Sequence, residues 1–88
     1  MPFFMDRHDL AGSTAADVAD AHVKDLAFQD RYDVNDVTYW FDDVQHTAFC
    51  LARTPDADSM AAVHRESHGG LPNQIIEVDE ALVRQFMG

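Results

Sequence analysis

The run Val37-Thr38-Tyr39-Trp40-Phe41, Asp42-Asp43-Val44-Gln45, His46-Thr47-Ala48-Phe49-Cys50-Leu51-Ala52-Arg53 lies at the middle of the chain and sets its architecture. Both flanks are rich in β-branched and aromatic side chains, and four polar or turn-forming positions separate them, so the run predicts a β-hairpin. Upstream, Thr14-Ala15-Ala16-Asp17 has the spacing of a capping box. From there Ala15, Val18, Ala19, His22, Leu26 and Gln29 recur at three and four, predicting an amphipathic helix that ends near Tyr32, with Asp20, Lys24 and Asp25 outside its apolar stripe. Ahead of that helix Phe3 to His8 alternates as a strand and Asp9-Leu10-Ala11-Gly12 reads as a loop. Downstream, Thr54-Pro55 predicts a capping hydroxyl before a proline in the first helical position, with Asp56 and Asp58 in the first turn. This second helix runs to about His68; Gly69 stops it, Pro72 forbids resumption, and Gln74 to Val78 reads as a fourth strand. A last amphipathic turn or two is expected over Asp79 to Met87.

The order strand, helix, strand, strand, helix, strand predicts an α+β, ferredoxin-like βαββαβ domain over residues 1–88, with two helices on one face of a four-stranded antiparallel sheet. Alternation sorts each strand into two sets of side chains but does not say which sets adjoin. Both sets hold large apolar groups, so a sheet covered on one face only would leave Trp40, Cys50 or their counterparts in water. A homodimer joined sheet to sheet would cover them.

With 88 residues, 47% apolar and 25% charged, the chain has room for one ordinary core. Sixteen acidic against six basic side chains give a formal charge of -10, which repels phosphate backbones and anionic lipid and attracts cations, so neither nucleic acid nor membrane is an expected partner. No run has membrane-spanning length, and the opening Met1-Pro2-Phe3-Phe4-Met5-Asp6 has no basic segment of the signal type, so no cleaved leader is expected. The single Cys50 argues for a reducing compartment, and the cytoplasm is the expectation. Cys50 sits in an apolar strand with no base beside it in sequence, which reads as a buried, inert thiol.

Five histidines carry the chemistry. His64-Arg65-Glu66-Ser67-His68 places two imidazoles at i and i+4 on one helical face, a spacing that chelates an ion; a zinc-protease helix would need glutamate where Arg65 stands. In Asp6-Arg7-His8-Asp9, alternation puts Asp6 and His8 on the same side of the strand. His22 interrupts the stripe of the first helix and could face His64 across the helix pair, while His46, beside a turn, reads as solvated. Nitrogen and oxygen donors suit Ni(II) or Cu(II), with Zn(II) and Fe(II) as alternatives, and the affinity order of divalent ions puts copper at least level with nickel. Ligating imidazoles must be neutral, so affinity is expected to fall as pH drops through about 6.5. The rival reading is a small dimeric enzyme of monooxygenase or isomerase type, with Tyr39, Trp40 and two histidines lining a cleft and a two-histidine, one-carboxylate iron site.

Met5-Asp6-Arg7-His8-Asp9, Ala21-His22-Val23-Lys24-Asp25-Leu26, Thr38-Tyr39-Trp40-Phe41-Asp42, Ala48-Phe49-Cys50-Leu51, Val63-His64-Arg65-Glu66-Ser67-His68-Gly69 and Ile75-Ile76-Glu77-Val78 together resemble the family of small actinobacterial nickel-responsive, nickel-binding proteins. The resemblance spans nearly the whole chain, and its most specific piece is the His-Arg-Glu-x-His-Gly run. It implies a ferredoxin-like protomer, a homodimer and a nickel site, with no established catalytic activity; the leading expectation is a non-catalytic, metal-binding homodimer that sequesters or buffers the ion. Carried across, the metal candidates are His64 and His68, His8 and Asp6, and His22. The chain departs from the pattern at Tyr32-Asp33-Val34, which replaces Tyr-Gly-Val, and at Gly70-Leu71-Pro72-Asn73-Gln74.

Overall fold

A computed structural model describes residues 2–79 and 81. Strand β1 (Phe3–Asp9) leads into helix α1 (Ala15–Phe28), a 3-10 turn (Gln29–Tyr32), strands β2 (Asn35–Asp42) and β3 (Thr47–Arg53), helix α2 (Ala57–Ser67) and strand β4 (Gln74–Val78). The strands form one antiparallel sheet in the order β2-β3-β1-β4, the ferredoxin-like arrangement anticipated from the sequence. Of the turns expected over Asp79 to Met87, all but Asp79 and Ala81 lie outside the described residues.

The capping box forms as expected: Thr14 Oγ accepts from the Asp17 N–H at 3.2 Å and Asp17 Oδ2 accepts from the Thr14 N–H at 3.0 Å. Helix α2 starts differently. Thr54 donates its backbone N–H to the Pro2 carbonyl at 3.1 Å, which holds the chain against β1 beyond the end of β3. The helix can begin only after that tether, so Asp56 is the cap and accepts from the Ser59 N–H at 2.8 Å. The Thr54 hydroxyl instead donates to the Asp56 carbonyl at 3.0 Å. At the other end of α2 the N–H groups of His68 and Gly69 both reach the His64 carbonyl, and Gly69 takes φ +77, which a side chain would resist. Asp33 closes the 3-10 turn with φ 55, the left-handed conformation that glycine adopts without a Cβ penalty.

Register assigns the faces. Tyr39, Cys50, Asp6 and Ile75 are successive partners across all four strands and share the face that meets the helices. Thr38, Leu51, Met5 and Ile76 form the neighbouring row on the opposite face. A bulge makes this possible: Asp36 pairs with Ala52 and Thr38 with Leu51, so Val37 is the extra residue and both Asp36 and Tyr39 turn toward the helices. Under the helices Val34, Ala52, Met60 and Val63 are buried together, with Phe4, Phe28, Tyr32, Cys50 and Ile75 packed around them. On the opposite face Trp40 is 49% and Ile76 46% exposed, while Leu51 and Phe3 are buried.

Candidate metal centre

Beside that apolar cluster the helix-facing layer changes character. Asp6 and His8 project from the central strand β1, Cys50 from β3, Asp25 from α1, and His64 from α2 between them. Asp6 and His64 are each 1% exposed and Asp25 3%. Burial of two carboxylates on this scale requires compensation. His64 supplies it: Nε2 lies 2.6 Å from Asp6 Oδ2, and Nδ1 lies 3.0 Å from both oxygens of Asp25. With a carboxylate at each ring nitrogen, both carry protons and the side chain is an imidazolium. Burial opposes that charge, but the hydrogen bonds and charges of Asp25 and Asp6 outweigh it and push the His64 pKa up to about 10. Conversely, burial works to raise Asp25, while its bonds to His64 and His68 hold its carboxyl well below the usual range; Asp6 is lowered in the same way by His64 and His8.

The remaining partners extend this line in both directions. His8 Nε2 lies 3.2 Å from Asp6 Oδ1, and the Cys50 N–H donates to the same oxygen at 3.2 Å. His68 Nε2 lies 3.0 Å from Asp25 Oδ1, and Ser67 Oγ donates to that oxygen at 2.6 Å. The Gly70 N–H donates to His68 Nδ1 at 3.0 Å, which leaves the ring proton on Nε2, facing Asp25. Gly70 must be glycine for this contact: a Cβ there would meet the His68 ring at 2.8 Å. Burial, then the charges of Asp6 and Asp25, push the Cys50 thiol far up, so it stays protonated and unreactive. Asp36, turned inward by the bulge, is pushed up to about 6 by burial and by Asp25.

Donor atoms converge in two groups: Asp6, His8, Cys50 and His64, and Asp25, His64 and His68, each with ligand atoms within 4.8 Å of one another. Donors at opposite sides of one divalent ion stand about 4 to 4.6 Å apart, so small side-chain adjustments fit an ion to either group. A cavity of about 120 Å³ touches both groups and is walled by His22, Tyr39, Leu10 and Val18.

Four of the five sequence candidates, Asp6, His8, His64 and His68, come together here. His22 joins neither group; its ring lies 4.6 Å from that of Tyr39 on the cavity wall. His46, expected in solvent, is half-buried with Nδ1 3.0 Å from the Ser13 carbonyl oxygen. Asp25 and Cys50 were not among the candidates. Asp25 stands three residues after His22 and seven after Val18, so helical spacing alone would have placed it on the buried face. Cys50 becomes a member only through the register that sets it opposite Asp6.

Comparison with known proteins adds three findings. The model of a protein family described as nickel responsive protein SCO4226-like matches residues 4–78. The crystal structure of SCO4226 from Streptomyces coelicolor A3(2) is similar at 34% identity, covering 86% of this chain and 94% of that one with a TM-score of 0.80. Among curated proteins there is no match.

Proposed function

The chain belongs to the SCO4226-like family of nickel responsive proteins, and from that premise we propose that it binds nickel, sequestering or buffering the ion without catalysing a reaction. The observation that carries this reading is the convergence of Asp6, His8, Cys50 and His64 on one buried point. Two imidazoles, a carboxylate and a thiol make a donor set for a divalent transition ion, and the formal charge of -10 draws cations toward it. Cys50 adds sulfur to a site anticipated from nitrogen and oxygen alone; a bound ion would deprotonate its thiol. His64 changes the expected pH dependence. Its proton is held to about pH 10, so affinity should keep rising with pH well above 6.5.

On the sheet face away from the helices, Trp40 and Ile76 keep exposed apolar surface that suits a second copy of the chain, giving a homodimer through that face. A reducing, cytoplasmic setting keeps Cys50 a thiol. Among the described residues no helix is long and apolar enough to cross a membrane.

Equilibrium dialysis of metal-free protein against Ni(II), with bound metal counted by elemental analysis and the near-ultraviolet spectrum recorded, tests the proposal. Tight binding with a sulfur-to-nickel absorption band that disappears in Cys50→Ser, and weakened binding in His8→Ala, is expected. Binding that leaves the spectrum unchanged, or is indifferent to both substitutions, refutes this site.

A further inference from the structure

Helix α1 covers the sheet with little apolar filling: of its 14 residues only Val18 and Asp25 are buried. Protein interiors leave few voids larger than a water molecule, yet the cavity beneath this helix measures about 120 Å³. Its size follows from the sequence. Ala21 on α1 and Ala48 on β3 both line it, and their methyl groups leave open the space that longer side chains would fill. A dry apolar cavity of roughly 150 Å³ accepts benzene, so this one has the scale of a single six-membered ring.

The walls suit such a ring. Leu10, Val18, Ala21 and Ala48 offer aliphatic contact, and the rings of His22 and Tyr39, with centroids 4.6 Å apart, make one aromatic side. Tyr39 stands there because the extra Val37 in β2 turns it toward the helices. Among the described residues neither the Tyr39 hydroxyl nor a His22 ring nitrogen has a hydrogen-bond partner, so both are open to a ligand. Charge narrows the class further. An anion would need an unpaired cation, but His64 is already held between Asp6 and Asp25, and the formal charge of -10 repels anions in general. A cation would need an unpaired carboxylate at depth, but Asp25 is already met by His64, His68 and Ser67. Asp17, which also borders the cavity, is exposed and caps α1 through Oδ2.

We propose that this cavity binds a small uncharged phenol, a single aromatic ring carrying a hydroxyl group. The ring occupies the space left by Ala21 and Ala48, against the rings of His22 and Tyr39. Its hydroxyl donates and accepts at once, and so pairs with the Tyr39 hydroxyl and with a nitrogen of His22, which as a neutral imidazole has one N–H and one bare nitrogen. No atom of the buried ion pairs takes part, so the site is independent of the metal-binding reading above.

Nuclear magnetic resonance of isotope-labelled, metal-free protein at pH 8, titrated with phenol, toluene, cyclohexanol, benzoate and benzylammonium in turn, tests the proposal. Phenol should give saturable shift changes confined to the residues around the cavity, with a Kd on the order of 1 mM, as suits so small a ligand. Tyr39→Phe keeps the ring and loses one neutral hydrogen bond, so phenol should bind about fivefold more weakly while toluene is unchanged. Ala21→Leu, its fold verified by circular dichroism, fills the space and should abolish binding of both. Cyclohexanol, benzoate and benzylammonium should all bind more weakly than phenol. Absence of saturable shifts with phenol, or binding that survives Ala21→Leu unaltered, would overturn the site. Equal losses for phenol and toluene in Tyr39→Phe would overturn the hydroxyl contact. A charged ring that binds more tightly than phenol would overturn the uncharged class, and cyclohexanol binding as tightly would overturn the aromatic one. With no ion in the sample, each of these results leaves the nickel reading where it stands.

Discussion

Asp25→Asn is the most informative single change in this protein, because it removes one charge from the buried triad while keeping its size. The Asp25 carboxylate faces His64 Nδ1 at 3.0 Å, His68 Nε2 at 3.0 Å and the Ser67 hydroxyl at 2.6 Å. Removing one partner of a buried ion pair typically costs about 3–5 kcal/mol, and an amide that keeps one acceptor oxygen belongs at the lower end, about 3 kcal/mol. For a chain of 88 residues this lowers the thermal midpoint by roughly 10–20 °C. The pH dependence carries the specific signature. A raised histidine stabilises fully below its unfolded value of 6.5 and loses that contribution as pH climbs through about 10, so the parent protein should weaken steadily over that window. The lowered carboxylates act on the acid side, where stability falls as pH drops below their unfolded value of 3.8. Urea denaturation of metal-free protein at pH 6, 8 and 10 reads both effects. Asp25→Asn should be about 3 kcal/mol weaker at pH 6 and show a shallower alkaline decline. A variant within 0.5 kcal/mol of the parent at pH 6, with an unchanged slope, would refute the imidazolium assignment.

Trp40→Glu places a charge on the open sheet face, away from the helices; sedimentation should show weaker self-association with unchanged circular dichroism, and an unaltered association constant would remove Trp40 from the interface. Thr14→Ala removes the hydroxyl that accepts from Asp17 and should cost about 1 kcal/mol in urea denaturation, with no effect on metal content. Cys50 should resist a thiol reagent in native, metal-free buffer and react at once in denaturant; rapid native labelling would contradict the protonated, partly buried thiol.

The element order was legible because alternation and helical spacing are local, and because Gly69 and Pro72 punctuate where the chain turns. The start of α2 was not, since the tether from Thr54 to Pro2 joins opposite ends of the fold and leaves no mark near Pro55. Faces were illegible for a similar reason: the extra Val37 in β2 breaks strict alternation, and only pairing with β3 reveals it. At the site, residue type misdirected the reading. Leu26 looks like a core residue and Asp25 like a solvated one, yet Leu26 is 42% exposed and Asp25 is buried. The cause is His64, which lies 39 positions away and makes a carboxylate the stable occupant of that buried place. Asp6, His8, His64 and His68 were found because each belongs to a pair recognisable at short range, whereas Asp25 and Cys50 acquire their roles only from tertiary neighbours.

The contact between Asp6 and His64 spans 58 positions, from the first strand to the second helix. While the chain is being synthesised, Asp6 and Asp25 are both made before His64. Docking of α2 places the His64 ring between the two carboxylates, so this helix closes a ring that includes most of the molecule, and closure is favoured despite its loop entropy. In an unfolded chain only short-range pairs, His64 with His68 and Asp6 with His8, could chelate an ion, by themselves and in water. Possession of the full donor set is thus a property of the finished tertiary structure, and a nascent or unfolded copy does not compete for ions on equal terms.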